Sequence, residues 1–269
     1  MQNIDPLYIL EPVVVIAISV GLILYWRKTR SFTRYALIFS LVAYAGAIVL
    51  KAIVSLFTAN SFISTFGSDS VATGLYYGIQ TSLFEVGGAF LVARYAVSRH
   101  RLSQKDAGAY GISLSFWENG VYLGVFSLIS LISIYAVLAV GPPSTAQEVY
   151  TALQTSQSAL FDPAAKALPQ IGFGILERIS SLLVHYSWGY LCVLAAVFRR
   201  NSYFAIALPM GFIDFFAPFA GYLGEGVFET IVFLFSLGSL LIAISIGKNL
   251  PGLPAAEGAN PGGDGSQSL

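Results

Sequence analysis

The chain has 269 residues, of which 56% are hydrophobic and only 10% charged, and its mean hydropathy is +0.72. Soluble domains carry about a quarter of their residues as charged side chains, so this chain cannot cover itself with a polar surface and reads as a membrane protein. Its 14 basic and 14 acidic residues cancel, which excludes a nucleic-acid-binding charge pattern, and a single cysteine, Cys192, excludes an intramolecular disulfide.

A helix needs about 20 apolar residues to cross the bilayer core. Seven segments meet that length: 7–26, 35–57, 72–97, 107–140, 171–198, 202–222 and 226–247. The expected fold is therefore an all-α polytopic bundle forming one domain over residues 1–250. Asp5 and Glu11 precede and open the first run where a cleavable signal would carry basic residues, so this run is expected to be a retained helix. The fourth run is long enough to tilt, kink or project beyond the bilayer. The loop at 141–170 either holds a short amphipathic surface helix or is a plain loop, since its apolar periodicity is incomplete. Residues 251–269, PGLPAAEGANPGGDGSQSL, have the composition of a disordered tail.

Basic residues fix an expected orientation. Arg27, Lys28, Arg30 and Arg34 follow the first span, Arg99, Arg101 and Lys105 the third, Arg199 and Arg200 the fifth, and Lys248 the seventh. The intervening loops carry only Lys166. This places the N-terminus outside and the C-terminus in the cytoplasm.

Ionisable side chains inside spans are expensive and tend to face a bundle interior or a cavity. Here they are Lys51, Glu85, Glu118, Glu177, Arg178, His185 and Asp214, with Glu229 near the outer end of the last span. At a rise of about 1.5 Å per residue, Glu85, Glu118, His185 and Asp214 fall at one depth on four helices. Lys51, Glu177 and Arg178 fall nearer the outer ends, as a supporting layer of ion pairs. Arg178 and His185 are seven apart and share one stripe of their helix. Pro218, four residues after Asp214, frees the Asp214 carbonyl and predicts a kink. Taken singly, each polar residue is also explained by a hydrogen bond between helices.

Four segments in order, LFEVGGAF (83–90), YGISLSFWENG (110–120), LERISSLLVHYSWG (176–189) and PMGFIDFFAP (209–218), resemble the YhfC-type membrane proteins, relatives of the CAAX-processing and bacteriocin-processing intramembrane proteases. The resemblance covers about residues 72–220, and the LER…H segment is its most specific part. It implies a helical bundle around a water-filled cavity, in which a glutamate and histidines activate water against a peptide bond. Glu177, Arg178 and His185 match the pattern. Val86 stands in place of a second glutamate, Ala89 in place of an arginine, and Leu114 and Met210 in place of two histidines.

One histidine with up to three carboxylates is an oxygen-rich donor set, closer to manganese or iron than to zinc, and the expectation from sequence is a site without a metal cofactor. Three functions remain open: a peptidase with Glu85 as base and His185 as its partner, acting on a peptide or membrane-protein substrate; a catalytically inactive relative that binds a membrane partner; or a proton- or cation-coupled carrier.

Overall fold

A computed structural model describes residues 4–250. The tail expected at 251–269 lies outside the described residues. The described residues form eight helical units, a short 3₁₀ turn at Ser158–Phe161 and no strand. They are α1 (Pro6–Thr29), α2 (Arg34–Phe66), α3 (Val71–Gln80, Thr81–Val86 and Gly87–Ser98 in unbroken succession), α4 (Gln104–Val140), α5 (Pro143–Ser156), α6 (Ala164–Phe198), α7 (Asn201–Leu223) and α8 (Glu225–Lys248). Six of them, α1, α2, α4, α6, α7 and α8, are long and apolar enough to cross a membrane. The remaining segment expected to span, α3, is helical throughout. Gln80, Thr81, Ser82 and Glu85 at its centre dilute its hydropathy.

The bundle is built around α6. In α6, 67% of the most apolar window is buried, against 28% or less in the other five spans. It packs on the first half of α4, the second half of α3, α8, α1 and the start of α7. The buried faces are small and partly polar: Ser19 on α1, Ala36, Ser40, Ala43 and Ala47 on α2, and Ala89 and Ala93 on α3. Large side chains such as Leu56, Phe57 and Leu91 point outward. That distribution suits a lipid solvent, where close approach of backbones rather than burial of leucine holds helices together. The crossing of α4 and α6 shows it: a Cβ on Gly111 would stand 2.5 Å from the Tyr186 carbonyl oxygen, and one on Gly189 would stand 2.8 Å from the Gly111 Cα.

The open alternative at 141–170 resolves as a helix. Pro143 opens α5 at a position where a missing N–H costs nothing, and Ala146 and Leu153 are its buried face. Leu153 joins a small apolar cluster with Ile4, Tyr8, Phe161, Ala167 and Ile171. The Tyr8 hydroxyl donates to the Ala159 carbonyl at 2.5 Å, and the Tyr135 hydroxyl donates to the Asp5 carbonyl at 2.7 Å. These contacts tie the start of the chain to the α5 end of the bundle.

Three of the site-bearing stretches are irregular. Thr81–Val86 in α3 and Phe116–Val125 in α4 are wound as π-helix, and Leu208–Phe219 in α7 as 3₁₀-helix. Such stretches are short in most proteins and concentrate at functional sites. The α7 stretch begins at Leu208–Pro209 and contains Pro218, two residues without an N–H for the α-helical ladder. The proline effect is thus a whole segment of altered winding rather than a single kink.

Candidate functional site

The π-helical stretch of α3 carries Glu85, that of α4 carries Glu118, the 3₁₀ stretch of α7 carries Asp214, and the regular helix α6 carries His185. Glu85, Glu118 and His185 each present a donor atom to one point, all within 4.8 Å of one another. The His185 Nε2 lies 3.1 Å from Glu85 Oε2 and in direct contact with Glu118 Oε2. Glu85 and His185 are buried, at 8% and 4% exposed, and Glu118 is partly buried.

The other face of the ring fixes its tautomer. His185 Nδ1 lies 2.9 Å from the Ser181 carbonyl, an acceptor only, so Nδ1 carries a proton and donates it there. The Ser181 hydroxyl lies 3.2 Å from Glu118 Oε2 and accepts from Asn119 Nδ2 at 3.1 Å. Asn119 also donates to the Ser115 carbonyl. With Nδ1 committed, Nε2 of a neutral ring points a lone pair at two carboxylates. A proton or a cation on Nε2 removes that repulsion. A histidine whose far nitrogen is hydrogen-bonded to a backbone carbonyl is the usual orientation of a metal ligand.

Asp214 is not in this trio. Its Oδ2 accepts from the Thr81 hydroxyl and from Lys51 Nζ, the latter at 3.1 Å. Lys51 also reaches Thr81 Oγ1 at 2.8 Å and Glu85 Oε1 at 2.5 Å, so all three ammonium protons are used. Lys51 therefore departs from the outer layer in which its sequence position put it. The reason is the length of α2, which continues to Phe66 instead of ending near 57 and places Lys51 deep in the bundle. A cation does reach Glu85, from α2 rather than from the position of Ala89, which is fully buried in the core. Leu114 and Met210 are core residues too.

Glu177 and Arg178 form an ion pair with each other, and neither pairs with Lys51. Both line the same cavity of about 160 Å³ as Lys51, Glu85, Glu118, His185 and Asp214. Glu229 is buried at 3% exposure, and its Oε2 has no hydrogen-bond partner among the described residues.

Sequence reasoning missed Tyr44. It lines this cavity at 7% exposure, with its ring edge-on to Tyr122, and its hydroxyl has no hydrogen-bond partner among the described residues. Thr81 was also missed as a member of the network, whereas Ser181 flanks the Arg178/His185 stripe already in the sequence. Hydroxyl residues are ordinary in apolar helices, and nothing in the sequence distinguishes Tyr44 and Thr81 from the others. The approach of α7 to α3 that brings Asp214 to Thr81 depends on Gly211, where a Cβ would stand 2.6 Å from the Ser82 Cα.

The sequence profile of the YhfC intramembrane metalloprotease family matches residues 14–234. The chain belongs to that family. The match covers every residue of the cluster, from Tyr44 to Asp214, and extends beyond the segments that carry the resemblance in sequence. No curated protein and no solved structure matches the chain. The six membrane-length helices and the family together make it an integral, multi-pass membrane protein of protease-like class.

Proposed function

We propose that this YhfC-family chain is an intramembrane metallopeptidase, with a divalent cation held by Glu85, Glu118 and His185. The observation that carries the reading is a charge imbalance. The cluster gathers three carboxylates, Glu85, Glu118 and Asp214, around one ammonium, Lys51. Fully ionised and with a neutral imidazole, it holds a surplus of two negative charges, with Glu85 buried, Glu118 partly buried and Asp214 the most open, its side chain 40% exposed. Buried charge requires a counter-charge, and a divalent cation cancels this surplus. The donor set of one imidazole and two carboxylates suits manganese or iron and is compatible with zinc. This reading departs from the metal-free site expected from the residue types alone.

A cation held there supplies Lewis acidity to a carbonyl and to water. The protein's own groups do the rest. Lys51 holds Oε1 of Glu85, leaving Oε2 directed at the trio; either role of Glu85, ligand or base toward water, uses that second oxygen. Ser181 and its carbonyl hold His185 from behind. Tyr44 offers a hydroxyl that no described residue occupies, placed to donate to the oxygen of a peptide carbonyl as negative charge develops on it.

The direct contact between His185 and Glu118 supports a second reading, in which a protonated imidazole satisfies the carboxylates and the chain is a catalytically inactive, partner-binding relative. Metal analysis of the protein purified without chelator separates the two. The first reading expects about one divalent ion per chain, lost in His185→Ala and Glu118→Gln, together with chelator-sensitive cleavage of a peptide library. A folded protein with no bound metal, and none taken up on addition of manganese, iron or zinc, would leave the second reading.

A further inference from the structure

The site cavity, at about 160 Å³, is smaller than the roughly 300–1,000 Å³ typical of ligand pockets. It has room for the bond to be cut and little of the chain on either side. A larger cavity of about 570 Å³ adjoins it. The two share Tyr122, Leu123 and Arg178 as a common wall. From there the larger cavity runs along α4 to Ile134 and is closed by α1 and by Gln157 and Leu160 beyond α5.

We propose that this larger cavity is the binding cleft for the substrate polypeptide, which lies in it extended and reaches the inner site past Arg178. The proposal rests on the peptidase reading above. Length agrees with it: Tyr122 to Ile134 covers about 18 Å of helix at 1.5 Å per residue, the span of five or six extended residues at about 3.3 Å each.

The lining agrees as well. Ser127 and Ser130 face the cleft and make no hydrogen bond among the described residues, whereas Ser133, outside it, bonds back to the Ile129 carbonyl. Glu11 carries a carboxylate into the same space, and among the described residues Arg178 has only the Glu177 side chain as hydrogen-bond partner. An acyl chain filling the cleft would leave these groups unpaired against hydrocarbon, at a cost for each. An extended peptide, with an N–H and a carbonyl at each residue, pairs with them, while Pro12, Val15 and Leu131 take its apolar side chains.

The test starts from Cys192→Ala, which removes the sole, buried cysteine. Single cysteines replace Ser127, Ser130 and, as a control outside the cleft, the exposed Ile129. A membrane-impermeant maleimide applied to membrane vesicles of both orientations should label the first two and spare the third. No labelling at Ser127→Cys or Ser130→Cys in a monodisperse protein would mean a lipid-filled groove and overturn the proposal. Oxidised insulin B chain, an unfolded peptide, is then the probe. At about ten times its Kd it should slow labelling of Ser130→Cys about tenfold by mass action; absence of protection at saturating peptide also overturns the cleft. Protection by a peptide that the metal-loaded wild type never cleaves sinks the peptidase reading and leaves a peptide-binding cleft. Undiminished cleavage after full modification of Ser130→Cys does the reverse.

Discussion

A buried phenol without a partner is costly, about 1–3 kcal/mol for the stranded hydroxyl, and Tyr44 is such a group. Its retention makes sense if something outside the chain accepts its proton. Tyr44→Phe should therefore leave the unfolding temperature unchanged or slightly higher and lower kcat by about a hundredfold, with little change in KM. Equal turnover in the variant would remove Tyr44 from the reaction. Lys51 behaves oppositely. Lys51→Met strands Glu85 and Asp214 and should destabilise the protein by about 3 kcal/mol, read by thermal unfolding in detergent, with Lys51→Arg recovering part of the loss. Glu85, Glu118 and His185 were legible in the sequence because an ionisable group in an apolar run needs a reason to be there. Tyr44 and Thr81 were not, because tyrosine and threonine are ordinary in apolar helices and only the packing of α2, α3 and α7 brings them to the cluster.

At the level of elements, the length of the apolar runs located the helices, and the helices extend past some of those runs. The segment ending near 57 continues to Phe66, and that starting at 171 begins at Ala164 and runs through Pro169. The first difference put Lys51 in the outer ion-pair layer with Glu177 and Arg178 in the reading from sequence, whereas it bonds Glu85 and Asp214. The π-helical winding around Glu85 and Glu118 had no local signature at all, since it follows from the packing of α3 and α4 on their neighbours. The 3₁₀ segment of α7 was half legible, through Pro218. Its position depends on Gly211, and a larger side chain there must push α7 away from Ser82. Gly211→Val should cost about 1–3 kcal/mol by overpacking and pull Asp214 off Thr81 and Lys51. Turnover should then fall beyond what the loss of folded protein explains. Gly238→Val on α8, where a Cβ meets no atom within 4 Å, is the control and should change neither. A Gly211→Val protein with wild-type stability and activity would mean that α7 is not held where Asp214 requires it.

For the whole molecule the deciding element is α3. Six apolar spans would return the two termini to one side of the membrane; a spanning α3 makes seven and puts them on opposite sides. Two sets of contacts favour seven. The Arg101 guanidinium lies 4.9 Å over the Tyr35 ring and donates to its hydroxyl at 2.8 Å, joining the start of α2, just past the turn after α1, to the turn after α3. Two turns joined at one end require α2 and α3 to make a full round trip between them. Tyr8 and Tyr135 meanwhile fasten the chain's start to the α5 end, away from those basic turns. With lysine and arginine retained in the cytoplasm, we propose that the α5 end faces outward. Alkaline phosphatase joined before α1 or inserted at Gln157 should be active, and the same enzyme joined after Asn249 should be inactive while a fluorescent protein there fluoresces. Activity at both termini would remove α3 from the membrane, and with it the depth that buries Glu85. The proposed result makes the cleft between α1 and α4 open toward the outer face, so a substrate would meet Arg178 before it meets Lys51, and the charge surplus around His185 would be the last thing it reaches.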